Sequence, residues 1–347
     1  MKQFLYTLAT DRRNDFWAKL LKCFLWFFSG IYARVVRIIL WSYRVGLRKQ
    51  QHLPKPVISV GNITLGGVGK TPFVIFLARL FQRRGLKPVI LTRGYMESKH
   101  KSDEVKVIEE NLKDISVLVG ANRFANAQEF LKNNNVDVFI LDDGFQHWKL
   151  YRDLDIVAID ATDPFGNAQV IPRGILREPL DGLKRANLCV ATKTDLPGAK
   201  VGALRQKFRA FNTEVPFVEA SHKPVSFIDV KSSVQKELEF FKEKTVMAFC
   251  SLGKPESFEN TLIKLDIKVK KHFVFIDHHM YTYQDIVSMV QYARECKIDT
   301  FVTTQKDAVK LSEFLNEFKE IDIVFLKIEM NIISGKEQVI ERVFSVL

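Results

Sequence analysis

At 347 residues, 47% hydrophobic and 27% charged, the chain can bury a sizeable core, and these values exclude a disordered or low-complexity protein. Lys and Arg number 52 against 40 Asp and Glu, a net charge of +12, which suits an anionic partner: a phosphorylated substrate, an anionic membrane surface or nucleic acid. The cysteines Cys23, Cys189, Cys250 and Cys296 are far apart with no C-x-x-C pair, which argues against a zinc site or disulfide framework and fits a reducing cytoplasm.

The first predicted element is N-terminal. The run "CFLWFFSGIYA" (23–33) holds 11 residues without a charge, short of the about 20 that cross a bilayer, and no small-residue cleavage site follows it. On a helix, Lys19, Lys22, Arg34, Arg37, Arg44 and Arg48 fall within roughly 120° of arc. Leu21, Leu25, Phe28, Tyr32, Val36, Ile39 and Tyr43 lie opposite. The pattern predicts a helix lying in a membrane interface or an amphipathic helix packed on the protein's own core. Gly30 is a point where it could split in two.

Past residue 52, short β-rich apolar runs alternate with helical stretches: "PVISVGN" (56–62), "KPVILTRGY" (87–95), "VDVFILDDG" (136–144), "LDIVAID" (154–160) and "ANLCVATKTD" (186–195). Such alternation predicts an α/β fold with a mostly parallel sheet and helices on both faces. Ligands of these sheets bind at the carboxyl ends of the strands. There lie a glycine loop, Arg93-Gly94, Asp142-Asp143 and Lys193 to Asp195. From about Ser221 the texture turns polar, and further strand-like runs follow at 245–253, 270–279, 299–307 and 321–330. Three segments are expected: an amphipathic membrane-associated helical segment (1–50), a core domain (51–222) and a smaller C-terminal α/β domain (223–347).

The glycine loop, "GNITLGGVGKTP" (61–72), stands between a strand and a helix. The pattern G-x-x-x-x-G-K-[ST] is complete except at its first position, which is Thr64. Gly66, Gly67, Val68 and Gly69 supply backbone N–H groups to wrap a phosphate. A helix N-terminus favours its charge, Lys70 reaches the β and γ phosphates, and the Thr71 hydroxyl suits Mg²⁺. The core therefore reads as P-loop NTPase-like. "FILDDG" puts Asp142 and Asp143 at a strand end, where a P-loop enzyme holds or orients Mg²⁺; alone, such a pair is a turn. "TKTD" (192–195) resembles the element by which many GTPases read guanine, which makes a GTPase switch or metallochaperone a competing reading. "FIDHHMY" (275–281) offers His278 and His279 without a third ligand at metal spacing, so no zinc centre is expected. "RGILREPLDGL" (173–183) suits a loop that clamps phosphates or a solvated connector. No nucleic-acid motif is present, so no nucleic acid is expected as partner.

In order, "SVGNITLGGVGKTP", "LTRGY", "NRFANA", "LDDGFQHWKLYRDLDIV", "FGNAQVIPRGILREPLDGLKRA", "FIDHH" and "TTQKDAVKL" resemble the tetraacyldisaccharide 4'-kinase family, the lipid A kinases of Gram-negative bacteria. The similarity covers the chain from about residue 56, and Thr64 is the family's own form of the loop. It implies transfer of the γ-phosphate of ATP, with Mg²⁺, to the 4'-hydroxyl of a membrane-embedded acylated glucosamine disaccharide 1-phosphate lipid, giving the 1,4'-bisphosphate. It also implies a membrane-associated N-terminal helix and a place at the cytoplasmic face of the bacterial inner membrane; no obligate protein partner is implied. Asp142, Asp143 and Glu178 would then arrange metal and phosphates, while Gln146, Arg123 and Arg177 would hold phosphates or the sugar. Asp103 in "SDEV", with His278, matches the family's pair that activates the acceptor hydroxyl, Ser102 and Val105 standing where the family has Gly and Pro.

Overall fold

A computed structural model describes residues 7–11, 13, 15–94 and 102–347; Tyr95 of "LTRGY" and the stretch leading to Ser102 lie outside the described residues. The elements are, in chain order, α1 (Phe16–Arg44), β1 (Val57–Asn62), α2 (Lys70–Arg83), β2 (Pro88–Thr92), α3 (Asp103–Asn111), β3 (Val117–Val119) and α4 (Arg123–Leu131). Next come β4 (Val138–Asp142), β5 (Leu154–Asp160), β6 (Leu188–Thr192), α5 (Val201–Arg209), β7 (Phe217–Asp229) and β8 (Gln235–Lys236). The chain closes with β9 (Thr245–Cys250), α6 (Pro255–Lys264), β10 (Lys268–Val274), α7 (Tyr283–Glu295), β11 (Thr300–Thr304), α8 (Gln305–Ala308), β12 (Asp322–Ser334) and α9 (Lys336–Phe344).

Two compact units form, and neither is one continuous stretch. The first contains residues 1–93, 112–221 and 332–347; the second contains 94–111 and 222–331. The passage at 221/222 lies close to the texture change at Ser221. Sequence texture gives no sign that α3, with Asp103, joins the second unit, or that α9 returns to the first.

In the first unit the strands run β7-β6-β5-β1-β4-β2-β3, all parallel. The strands β1, β2, β4, β5 and β6 are buried at every position, which is why they read as unbroken apolar runs. One face packs Val157, Ile159, Cys189, Ala191, Phe208 and Phe217; another cluster joins Val57, Val89, Leu91, Phe139 and Leu141. With β1 in the middle, its loop and the ends of β4, β5 and β6 share one edge of the sheet. In the second unit the order is β10-β9-β11-β12-β7, with β8 antiparallel to β7. Alternate residues of β9 enter different cores, Met247 and Phe249 in one and Val246, Ala248 and Cys250 in the other, as period-two side chains require.

Helix α1 passes through Gly30 unbroken for 29 residues, started by the Asp15 side chain accepting from the Ala18 amide, so the expected split does not occur. By length and composition it could cross a membrane, although its longest uncharged run is short. It docks on the first unit: Ser29 donates to the Val170 carbonyl at 2.8 Å, Tyr32 donates to the Arg177 carbonyl at 2.7 Å, and Val36 is buried. The stripe of Leu21, Leu25, Phe28, Tyr32, Val36, Ile39 and Tyr43 is thus mostly the docked side, as the packed-helix alternative predicts, although Phe28 is exposed. The outward side carries a second apolar set, exposed Phe16, Trp17, Leu20, Phe24, Phe27, Ile31, Val35 and Ile38. Lys19, Arg34, Arg37 and Arg44 flank it, whereas Lys22 is buried and paired with Asp11 at 2.6 Å.

Candidate active site

The loop after β1 turns into α2 through Gly69, whose φ of 87° caps the helix in the left-handed region that a side chain disfavours; Gly66 has φ 100°. Thr64 is buried and bridges Leu176, with Leu65 N donating to the Ile175 carbonyl at 2.7 Å and Arg177 N to the Ile63 carbonyl at 2.8 Å. The segment 173–178 therefore borders the glycine loop as an added short edge, and threonine at 64 suits that extended pairing. Lys70 Nζ donates to Asn62 Oδ1 at 2.8 Å and lies 3.1 Å from Asp143 Oδ1. Thr71 is the second residue of α2.

Asp142 is buried at the end of β4, in register with Val60 of β1, and accepts from Thr92 Oγ1 at 3.3 Å. Gly144 follows because a Cβ there would lie 2.6 Å from Ser59 Oγ. Asp143 turns the other way: Arg177 NH1 donates to both its oxygens at 2.8 and 2.9 Å. Burial opposes its charge, but Lys70 and Arg177 outweigh that and hold the carboxyl at about 2. Asp143 is thus ionised near neutrality and pairs with both Lys70 and Arg177. Arg123, buried at the start of α4, donates to His147 Nδ1 at 2.8 Å. Burial and the neighbouring Arg123 and Arg152 push that imidazole down to about 4, so it stays neutral and can accept.

A second cluster is built wholly within the second unit. Asp103 opens α3, where the helix N-terminus favours an anion. His278 Nδ1 lies 3.2 Å from its Oδ1, and Lys310 and Lys306 lie 3.5 and 3.7 Å from Oδ2. Oδ2 is buried and accepts no hydrogen bond among the described residues. Burial opposes the charge, but the His278 hydrogen bond and the two lysines outweigh it and hold Asp103 far below the usual carboxylate range. The same hydrogen bond raises His278. With Asp103 ionised, Nδ1 donates to it in either state of the ring, while Nε2 faces Lys306 at 3.3 Å and Glu104 at 3.6 Å. Lys310 in turn reaches Asp307 at 3.2 Å and Ser251 Oγ at 2.6 Å, and Asp307 is fully buried. Asp103, Glu104 and His278 could group around a metal, but two ammonium groups beside Asp103 already balance its charge. His279 is occupied elsewhere: it lies 2.9 Å from Asp285 and stacks on Phe275 at 4.8 Å.

The sequence model of the family described as Tetraacyldisaccharide-1-P 4'-kinase matches residues 21–347. The chain belongs to that family. Among its relatives, the tetraacyldisaccharide 4'-kinase of Elusimicrobium minutum is 33% identical over 90% of this chain and 88% of its own. That of Halothermothrix orenii is 34% identical over the same shares of the two chains. The crystal structure of LpxK from Aquifex aeolicus in complex with ATP superposes with a TM-score of 0.74 at 29% identity, covering 94% of this chain and 99% of that one. Family membership makes this chain a kinase, and the fold is that of the family.

Within this kinase, other expected site residues are held by protein partners. Glu178, expected to arrange metal, is 0% exposed, and both its oxygens are taken. Arg185 donates from NH1 at 2.8 Å and NH2 at 3.0 Å, and Gln146 Nε2 donates at 2.8 Å. It anchors the loop from inside. Gln146 bridges it to the Asn62 carbonyl at 2.9 Å, so Gln146 supports Asn62, and Asn62 supports Lys70. Arg173 pairs with Asp11 at 2.8 Å, whereas Arg177 reaches Asp143. Asn62, Arg185, His147, Lys306 and Lys310 escaped sequence reasoning. Asn62 stood in the loop motif and the two lysines in "TTQKDAVKL", but no spacing rule links them to their partners.

Proposed function

We propose that this chain transfers the γ-phosphate of ATP to the 4'-hydroxyl of an acylated glucosamine disaccharide 1-phosphate lipid, in lipid A biosynthesis, at the cytoplasmic face of the bacterial inner membrane. Membership of the kinase family over residues 21–347 carries the reading, and the two clusters divide its chemistry. In the first unit, the loop amides and Lys70 bind the β and γ phosphates, with Asn62 and Asp143 aiming the ammonium group. Thr71 and Asp142 are hard oxygen donors beside the loop, a set that suits Mg²⁺; they would hold it, and it would neutralise charge on the phosphates. Arg177 and Arg123 add positive charge near the same carboxylates.

In the second unit, the Asp103 carboxylate takes the hydroxyl proton, and His278 fixes its orientation through Oδ1. A carboxylate held so far below its usual range is a weak base. That suffices, because phosphoryl transfer depends on positioning and charge stabilisation, and the proton moves late. The outward apolar face of α1, edged by Lys19, Arg34 and Arg37, would rest in the membrane interface where the acyl chains lie.

The test offers purified protein the disaccharide 1-phosphate lipid with radiolabelled ATP or GTP. Phosphorylated lipid is expected with ATP, and Lys70→Ala abolishes it. No labelled lipid with either nucleotide would overturn the reading.

A further inference from the structure

Thr192 ends β6 and Lys193 follows it, in the "TKTD" element, and both turn toward the glycine loop. Thr192 Oγ1 donates to the Val68 carbonyl at 2.7 Å, with a longer 3.3 Å approach to the Ile159 carbonyl. Lys193 Nζ donates to the Gly67 carbonyl at 2.9 Å and to Asp160 Oδ2 at 2.9 Å. Thr192, Lys193 and Asp160 are 0%, 5% and 3% exposed. A buried ammonium is unfavourable unless paired and hydrogen-bonded. Asp160 supplies the pairing, and is itself held by the Thr162 amide at 2.9 Å and hydroxyl at 2.6 Å.

In a trans peptide the C=O and the following N–H point in opposite directions. Drawing the Gly67 and Val68 carbonyls toward β6 therefore turns the Val68 and Gly69 N–H groups away from it, at the head of α2. Next to them, a Cβ at Gly66 or Gly67 would meet nothing within 4 Å, so the loop leaves room on its outer surface. Amides aimed in advance stabilise an anion without reorganising when it arrives.

We propose that Thr192 and Lys193 are positioning residues of the phosphate site, setting the direction of the Val68 and Gly69 amides, and are not readers of a purine base. This rests on the nucleotide reading of the loop. Asp160 belongs to the same device, as the counter-charge that lets Lys193 stay buried and ionised beside a neutral carbonyl.

The experiment measures binding of Mg-ATP, Mg-GTP, adenosine and inorganic triphosphate by calorimetry to the full-length chain, and compares Thr192→Val, Thr192→Ser and Lys193→Met. Thr192→Val removes one hydroxyl without stranding a charge, so it folds even if Lys193→Met does not. It should weaken ATP, GTP and triphosphate alike, about 5- to 10-fold, with adenosine unchanged and Thr192→Ser restoring most of the loss. Lys193→Met should weaken the same three about 10- to 100-fold. Triphosphate binding within about twofold of wild type in Thr192→Val, or a changed ATP-to-GTP ratio with triphosphate unaffected, would overturn the proposal. A uniform loss that includes adenosine would also overturn it, since that marks general destabilisation. If wild-type protein binds none of the phosphate ligands, the nucleotide reading itself falls, and the proposal with it.

Discussion

Replacing Glu178 with Gln preserves shape and removes one charge from a site closed to water. Glu178 accepts three hydrogen bonds, two from Arg185 and one from Gln146. A glutamine offers one acceptor oxygen and an NH₂ donor, so Arg185 or Gln146 would face another donor. Removing one partner of a buried ion pair costs about 3–5 kcal/mol. The Arg185 side chain keeps 22% exposure and stacks over Phe145 at 4.4 Å, which brings the expected cost just below that range, to about 2–3 kcal/mol. For a unit of this size each kcal/mol moves Tm by about 2–4 °C, so thermal unfolding should come about 5–10 °C earlier. Because Gln146 also holds the Asn62 carbonyl and Asn62 holds Lys70, ATP affinity should fall several-fold while the Mg²⁺ concentration for half-maximal transfer stays put. The assay combines a thermal scan, calorimetric ATP binding and a Mg²⁺ titration of lipid phosphorylation. Wild-type Tm together with a tenfold or greater rise in the Mg²⁺ requirement would refute the reasoning and return Glu178 to the metal.

Asp103→Asn should lower kcat by about 10²- to 10⁴-fold with ATP affinity nearly unchanged; retained kcat with weakened ATP binding would move the acceptor role elsewhere. Lys310→Met removes an ammonium 3.5 Å from Asp103, so kcat should fall with ATP affinity nearly unchanged, and an unchanged kcat would show that Lys310 does not support the acceptor site. Asp143 has its carboxyl lowered to about 2 from 3.8, so its contribution to stability is full above pH 4 and is lost as pH falls toward about 2. Urea unfolding should therefore show the wild-type advantage over Asp143→Asn shrinking across that window, and a constant difference would count against the pairing. Glutamates at Phe24 and Ile38, on the outward face of α1, should reduce sedimentation with anionic vesicles without lowering Tm, whereas Val36→Glu on the docked face should lower Tm; unchanged vesicle binding in the first variant would assign anchoring to another surface.

The glycine loop, the parallel sheet and the identity of the family were legible because each is written locally. Strands buried on both faces leave unbroken apolar runs, a left-handed helix cap calls for glycine at 69, and a phosphate site needs Lys70 and Thr71 directly after it. The pairing of Asp103 with His278 was reached only through resemblance, since 175 residues separate them and neither lies in a motif that names the other.

What the sequence determined by itself, then, is the periodic and the contiguous: element types, the phosphate loop, and an amphipathic α1 that could either lie in a membrane interface or pack on the core. Tertiary structure decided the rest. Which side of α1 docks depends on Ser29 and Tyr32 finding carbonyls at Val170 and Arg177. That Glu178 serves Arg185, that His278 and not His279 meets Asp103, and that "TKTD" bears on the loop all follow from partners brought together by folding. An ionisable side chain takes its role from the charges and donors beside it, and these depend on strand order and burial, which one-dimensional spacing does not record.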